Sequence, residues 1–192
     1  MSNKVTEKKD KDIVLQGKQY ALIPFKVEHI SDRYIGWLND PKVNRFLAVR
    51  FVHQDRQTVT PYVQSFYEDT EKYMWGIYPV GMSEPIGTAT LYDINRTDGV
   101  GEIGILIGDE AYWGKKVSEE VMLLVIRFGF NDLGLHRLTG GSHAANLGMN
   151  FTFKRLGFRC GKKFAKTFAL NPGQGIDSYC WALLKEEWKN SV

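Results

Sequence analysis

The sequence predicts a mixed α/β (α+β) protein with a mostly antiparallel central sheet of about 6–7 strands and about 4–5 helices. Three observations lead there. Three β-type runs follow one another directly, YMWGIYPV (73–80), PIGTATLYDI (85–94) and GEIGILIG (101–108), with turn chemistry at 81–84 and 95–99 between them. Residues 117–133 then change to helical spacing. Val117, Val121, Leu124, Val125 and Phe128 share one face, and Ser118, Glu119, Glu120, Arg127 and Asn131 the other. Toward the C-terminal end, DSYCWALL (177–184) returns to a strongly β-prone composition.

In chain order, MSNKVTEKKDKD (1–12) alternates in charge and reads as a disordered leader, with 13–192 as a single domain. QYALIPF (19–25) is a short strand ended by Pro24. HISDRYIGWLND (29–40) places Ile30, Tyr34, Trp37 and Leu38 at helical spacing. Asp40-Pro41 reads as an N-cap and first helical position, opening a second helix through Phe46 and Leu47. A third helix fits Arg56 to Thr70. Gly134 suits the position after the helix that begins at Val117. HRLTGGS (136–142) is a strand, and Asn146 opens a helix with Met149, Phe153 and Leu156 on one face, ended by Gly157.

At 192 residues the chain can bury a full core, and 43% apolar with 24% charged residues is ordinary for a soluble globular protein. A net charge of +3 gives no argument for nucleic acid. Lys162, Lys163 and Lys166 lack an aromatic stacking platform and read as a solvated face. The sequence shows no signal peptide, and no apolar run approaches the ~20 residues of a membrane helix. Cys160 and Cys180 have no metal spacing and read as free thiols of a reducing compartment, which points to the cytoplasm. His29, His53, His136 and His143 form no metal-ligand pattern, and a G-x-S-x-G elbow is absent.

The stretch AYWGKKVSEEV (111–121) places glycine and two lysines where a strand hands over to a helix. A helix N-terminus leaves amides unpaired and carries a partial positive charge, so this is a place for an anion. Alone, the turn reads better as a tight connection with two solvated lysines. It is neither a P-loop nor a dinucleotide fingerprint.

The surroundings add to this. EIGILIG (102–108), YWGKK (112–116), FNDLGLHRL (130–138), Asn146 and KRLGF (154–158) stand in an order that resembles the GNAT superfamily of acyl-CoA-dependent N-acetyltransferases. The branch most resembled holds ribosomal-protein N-terminal and amino-sugar acetyltransferases. WLNDPKVNRFL (37–47) and ALLKEEW (182–188) extend the resemblance over most of the chain. It implies a sheet splayed at a cofactor cleft. Ile105, Leu106 and Ile107 would run beside the pantetheine arm of acetyl-CoA. The loop of Trp113, Gly114, Lys115, Lys116, Val117 and Ser118 would wrap the pyrophosphate. Asn146, which can also cap its own helix, would contact the arm, with Met149 and Phe153 completing the cofactor set. Two positions depart from the family pattern. Ala111 and Lys116 occupy the outer places of Q/R-x-x-G-x-G/A, and Phe153 stands where many members carry a tyrosine acid.

On the acceptor side, a backbone amide of a bulged strand near Leu106 would polarise the thioester carbonyl, as the resemblance implies. Glu102 is the first candidate for the base, with a solvated or ion-paired strand carboxylate as its plain alternative, and His143 the second. Tyr179 or water would serve as the acid. Trp37, Asn39, Asn44, Arg45, Phe46 and Arg50 would build the acceptor pocket. That region is net basic, which favours an acceptor carrying phosphate or carboxylate, such as a nucleotide-linked amino sugar, over a cationic one; a plain amino sugar and a protein N-terminus stay open. The expected partners are acetyl-CoA and a small amine, with no metal, nucleic acid or membrane, and a homodimer through a sheet edge remains open. The competing reading is a degenerate GNAT-fold acyl-CoA-binding or regulatory module without catalysis.

Overall fold

A computed structural model of the chain describes residues 12–164 and 177–188. Most of the charged leader and Lys166 lie outside the described residues. Strands β1 (Leu15–Gln16) and β2 (Tyr20–Pro24) come first, followed by helices α1 (Asp32–Asn39), α2 (Pro41–Asn44) and α3 (Arg56–Glu68). Then come β3 (Tyr73–Pro79), β4 (Gly87–Asn95), β5 (Val100–Ile107), α4 (Val117–Arg127), β6 (Arg137–His143), α5 (Leu147–Arg155), β7 (Arg159–Phe164) and β8 (Ser178–Leu184). The strands form one eight-stranded sheet in the order β1-β2-β3-β4-β5-β6-β8-β7. Every neighbouring pair is antiparallel except β5 and β6.

The expected α/β class is the observed one, with a wider sheet. The additional strands are β1, only two residues long, and β7, whose sequence RCGKKF lacks an apolar alternation and pairs along the edge that β8 offers. The second helix is shorter than its apolar spacing suggested. It ends at Asn44, whose buried amide donates to the Leu38 carbonyl at 2.8 Å. The chain then turns through a 3₁₀ segment, Ala48–Phe51. Helix α4 stops at Arg127 and continues as a π turn over Phe128–Asp132, before Gly134 leaves with φ +70°.

Side-chain caps fix the helix starts. Ser31 accepts from the Tyr34 amide, Asp40 from Lys42, and Asp55 from Thr58 in a reciprocal capping box. The alternating residues of the sheet supply two cores. On one face Leu22, Trp75, Leu91, Ile103, Leu138 and Trp181 pack with Val121, Met122 and Val125 of α4 and Phe153 of α5. On the other, Phe25 and Met74 pack with Tyr34, Trp37, Val59, Val63 and Phe66 from α1 and α3.

The site depends on one irregularity. β5 and β6 pair only at Val100↔Arg137, Gly101↔Leu138 and Glu102↔Thr139. Beyond Glu102, β5 keeps β4 on one side, while β6 continues to His143 against β8. The two strands therefore splay, leaving one flank of β5 without a neighbour over its last residues. Among the described residues, no helix is long and apolar enough to cross a membrane.

Candidate active site

The splay decides which main-chain groups are available. The Gly101 carbonyl accepts from Thr139 Oγ1 at 3.3 Å, and the Ile107 carbonyl from the Trp113 indole at 2.9 Å. Both acceptors lie away from β4, so the odd-numbered residues of β5 direct their polar groups toward the gap. The register with β4 runs unbroken from Gly87↔Ile107 to Tyr92↔Glu102, and the irregularity falls between Tyr92 and Asn95, where Asp93 sits at φ +49°. The bulge expected near Leu106 is thus absent from β5 and lies on β4. Leu106 faces its partner Thr88 with its amide, and Ile105 is the residue that offers an amide to the gap.

At the outer end of the gap the chain turns into α4 through Gly114 at φ +75° and Lys116 at φ +59°. The amides of Lys116, Val117 and Ser118 have no main-chain partner among the described residues. A cavity of about 630 Å³ follows this course, lined by Ile105, Leu106, Ile107, Trp113, Gly114, Lys116, Val117, Ser118, Asn146 and Met149. Lys115 stays off its wall and lies over the Tyr112 ring at 5.3 Å. Asn146 caps α5, accepting from Met149 at 3.2 Å, and lines the cavity as well. Lys42, Arg45 and Arg155 also border the cavity. Lys42 and Arg155 were not anticipated, because one follows a proline in a helix cap and the other closes a helix, and neither position carries a periodic signal.

A left-handed backbone at Lys116 is the physical reason that glycine suits this place. An L-residue there is strained by ~1 kcal/mol. Lys116→Gly is expected to stabilise the fold by about that amount and to raise Tm by roughly 2–4 °C, measured by calorimetric melting. A lower Tm would show that the lysine side chain holds the turn.

Phe153 does not reach this cavity. It is 1% exposed, stacked on Trp181 with ring centroids 5.4 Å apart, and fills the space under Gly140. Its ring is core, and cofactor contact through this side chain is corrected accordingly.

A second cavity of about 430 Å³ opens on the opposite side of the splay. It gathers Glu102, His143, Phe46 and Arg50, together with Phe51, Tyr92, Ser178 and Cys180. Glu102, in the last β5–β6 pair, accepts from the Tyr92 hydroxyl at 2.8 Å. Burial and the Glu102 carboxylate both push the Tyr92 phenol far above its ordinary range, so it stays protonated as a donor. His143 lies against Phe46 at 5.1 Å, and its Nδ1 accepts from the Ala145 amide at 2.9 Å. Burial and the Arg50 charge hold this imidazole below its usual range, with Asp177 opposing. Neutral His143 with Nδ1 engaged presents Nε2–H, a donor and not a base.

Three expected acceptor contacts are structural instead. Trp37 is buried between Tyr34 and the Arg33 guanidinium. Asn39 bridges Ile35 and Gln54, and Asn44 holds Leu38. Arg45 lines the larger cavity, not the acceptor pocket. Tyr179 lines the same cavity as Glu102, with its ring edge-on to Trp181 at 6.0 Å. Phe46 and Leu47 belong to the walls of both cavities.

A slot along an open strand flank, ending in orphan amides and meeting a carboxylate-bearing pocket, suits a protein that brings an extended anionic carrier to a small acceptor. The acetyltransferase (GNAT) domain family model matches residues 20–159. The chain is 32% identical over 108 residues to the probable N-acetyltransferase YjcK of Bacillus subtilis, covering 56% of this chain and 59% of YjcK. It is 25% identical over 137 residues to the human alpha/beta-tubulin-N-acetyltransferase 9, covering 66% of this chain and 65% of that protein. The matches thus span less than two thirds of each relative's length. In fold, it is similar to RimL, a ribosomal L7/L12 alpha-N-protein acetyltransferase solved in complex with coenzyme A. There the TM-score is 0.76 at 14% identity, over 90% of this chain and 98% of that one. The chain belongs to the GNAT acetyltransferase family.

Proposed function

We propose that the protein is an acetyl-CoA-dependent N-acetyltransferase acting on the primary amine of a small molecule by direct attack in a ternary complex. The observation that carries this reading is the splay itself. It leaves the Ile105 amide unpaired beside a 630 Å³ slot and sets the slot's inner end next to Glu102 and the second cavity. The residues fit the cofactor. The Ile105 carbonyl offers a main-chain acceptor to an amide-bearing arm. The free amides of Lys116, Val117 and Ser118 suit a diphosphate at the start of α4, and Lys42 and Arg45 add positive charge from the facing wall.

Bound acetyl-CoA supplies a thioester activated toward amines. This chain's own residues do the rest. The Ile105 amide is placed to stabilise negative charge on the thioester oxygen. Glu102, directly or through one water, takes the proton of the attacking amine. The two cavities meet along Phe46 and Leu47, so the reactants are held together and much of the acceleration comes from that alignment. Phe153 is core and takes no part as an acid, and water or the Tyr179 hydroxyl at the wall of the second cavity protonates the leaving thiolate.

Calorimetric titration with acetyl-CoA, desulfo-CoA and adenosine diphosphate tests the reading. Micromolar affinity that needs the pantetheine arm is the expected result. No binding at millimolar cofactor removes it and leaves the non-catalytic regulatory module in its place.

A further inference from the structure

The acceptor cavity carries opposite charges on its wall. Arg50 and Glu102 are the formally charged residues among those that line it. Glu102 has Tyr92 as its hydrogen-bond donor. Arg50 forms no ion pair among the described residues. Its guanidinium donates to the Arg45 carbonyl and lies over the Phe51 ring, 4.4 Å from the centroid. Stacking on an aromatic face and a carbonyl contact hold the fork in place while leaving donors uncommitted, since a guanidinium has five. A cation so fixed at a cavity wall, with no carboxylate in an ion pair with it among the described residues, is placed to take an anion from outside.

His143 works in the same direction. Its Nδ1 is occupied by the Ala145 amide, so the neutral ring points an N–H donor at whatever occupies the cavity, and the ring is braced on Phe46. The rest of the wall joins apolar Phe46, Leu47 and Phe51 to polar Ser142, Ser178 and Tyr179, and gives no second carboxylate to receive a polyamine. A dication would find one carboxylate and one opposing arginine, and like charges in so small a space repel.

Resting on the acetyltransferase reading, we infer that the acceptor is a small amine that itself carries an oxyanion, with its amino group at Glu102 and its oxyanion held by Arg50 and the His143 Nε2–H. The oxyanion is a carboxylate or a phosphate; both accept in the plane of a guanidinium fork. At about 430 Å³ the cavity admits a molecule of amino-acid or sugar-phosphate size.

The test uses two matched pairs as probes: phenylalanine against phenylalaninamide, and glucosamine 6-phosphate against glucosamine. Binding is read by calorimetry and transfer by thiol release from acetyl-CoA. The anionic member of at least one pair is expected to bind and react about tenfold better than its neutral partner. Arg50→Gln should bring that pair to near parity through KM, and Arg50→Lys should retain most of the preference. Which pair shows the effect separates the carboxylate from the phosphate. Equal use of both members of each pair, a preference for the neutral amines, or an Arg50→Gln variant that keeps the preference overturns the inference, as does binding of no probe at millimolar concentration. Acetyl-CoA affinity, measured on the same preparations, reports separately on the acetyltransferase reading. If acetyl-CoA binds and the charge preference is absent, only the acceptor inference falls.

Discussion

Glu102→Gln is expected to lower kcat about a hundredfold at neutral pH, the range over which a positioned base acts. The amide keeps an oxygen for the Tyr92 hydroxyl and nearly the same volume, so the strand pair Glu102↔Thr139 and the pocket stay as they are. What is lost is a group that can take up a proton. The variant then relies on amine already deprotonated in solution, a fraction that rises tenfold per pH unit below the amine's own pKa. The deficit should therefore narrow as pH rises, while acetyl-CoA affinity reports an intact slot. Steady-state rates from pH 6 to 10 measure this, and an unchanged kcat at pH 7 would remove Glu102 from the mechanism.

The largest effect on stability is expected from Gly108→Ala. Gly108 follows β5 directly and its amide donates to Ile86 at 2.9 Å, so the backbone cannot yield easily. A Cβ built there falls inside the Trp37 indole, which is itself wedged against Tyr34 and under the Arg33 guanidinium. Overpacking of this kind costs about 3 kcal/mol, and Tm should fall by roughly 6–12 °C. A melting temperature within a degree of the parent would show that Trp37 can swing aside.

These two residues also show what could be read from the sequence. Glu102 stood out because it combines a titratable group with a strand whose alternation was plain, and the second cavity does include it. The runs that became β2 to β6, the strand β8 and the caps at Asn146 and Asp40 were legible for the same reason: period, propensity and capping chemistry are local. β1 and β7 were not, since two residues carry no period and RCGKKF is held by β8 and not by its own apolar pattern. Residue types alone could not tell that Asn39 and Asn44 spend their amides on the backbone, or that Arg45 and Arg50, five positions apart, face different cavities. The position of the bulge escaped as well. It turns on Asp93, an aspartate with nothing beside it to mark a left-handed residue.

A strand that is paired on one side only is an edge, and here the edge lies in the middle of the sheet. Edges at the rim of a protein are commonly blunted by lysine, proline or shortness. None of these would serve on β5, because a charge or a missing amide between Glu102 and Ile107 would spoil the slot for its ligand. The protection is architectural instead. The Trp113 indole occupies the Ile107 carbonyl, the β6–β8 pair flanks the gap, and Phe46, Leu47 and residues of α5 line it, so an incoming strand would meet side chains and an occupied acceptor before a free row of main-chain groups. The walls that shape the flank for a slender ligand also stand between it and the strands of other molecules.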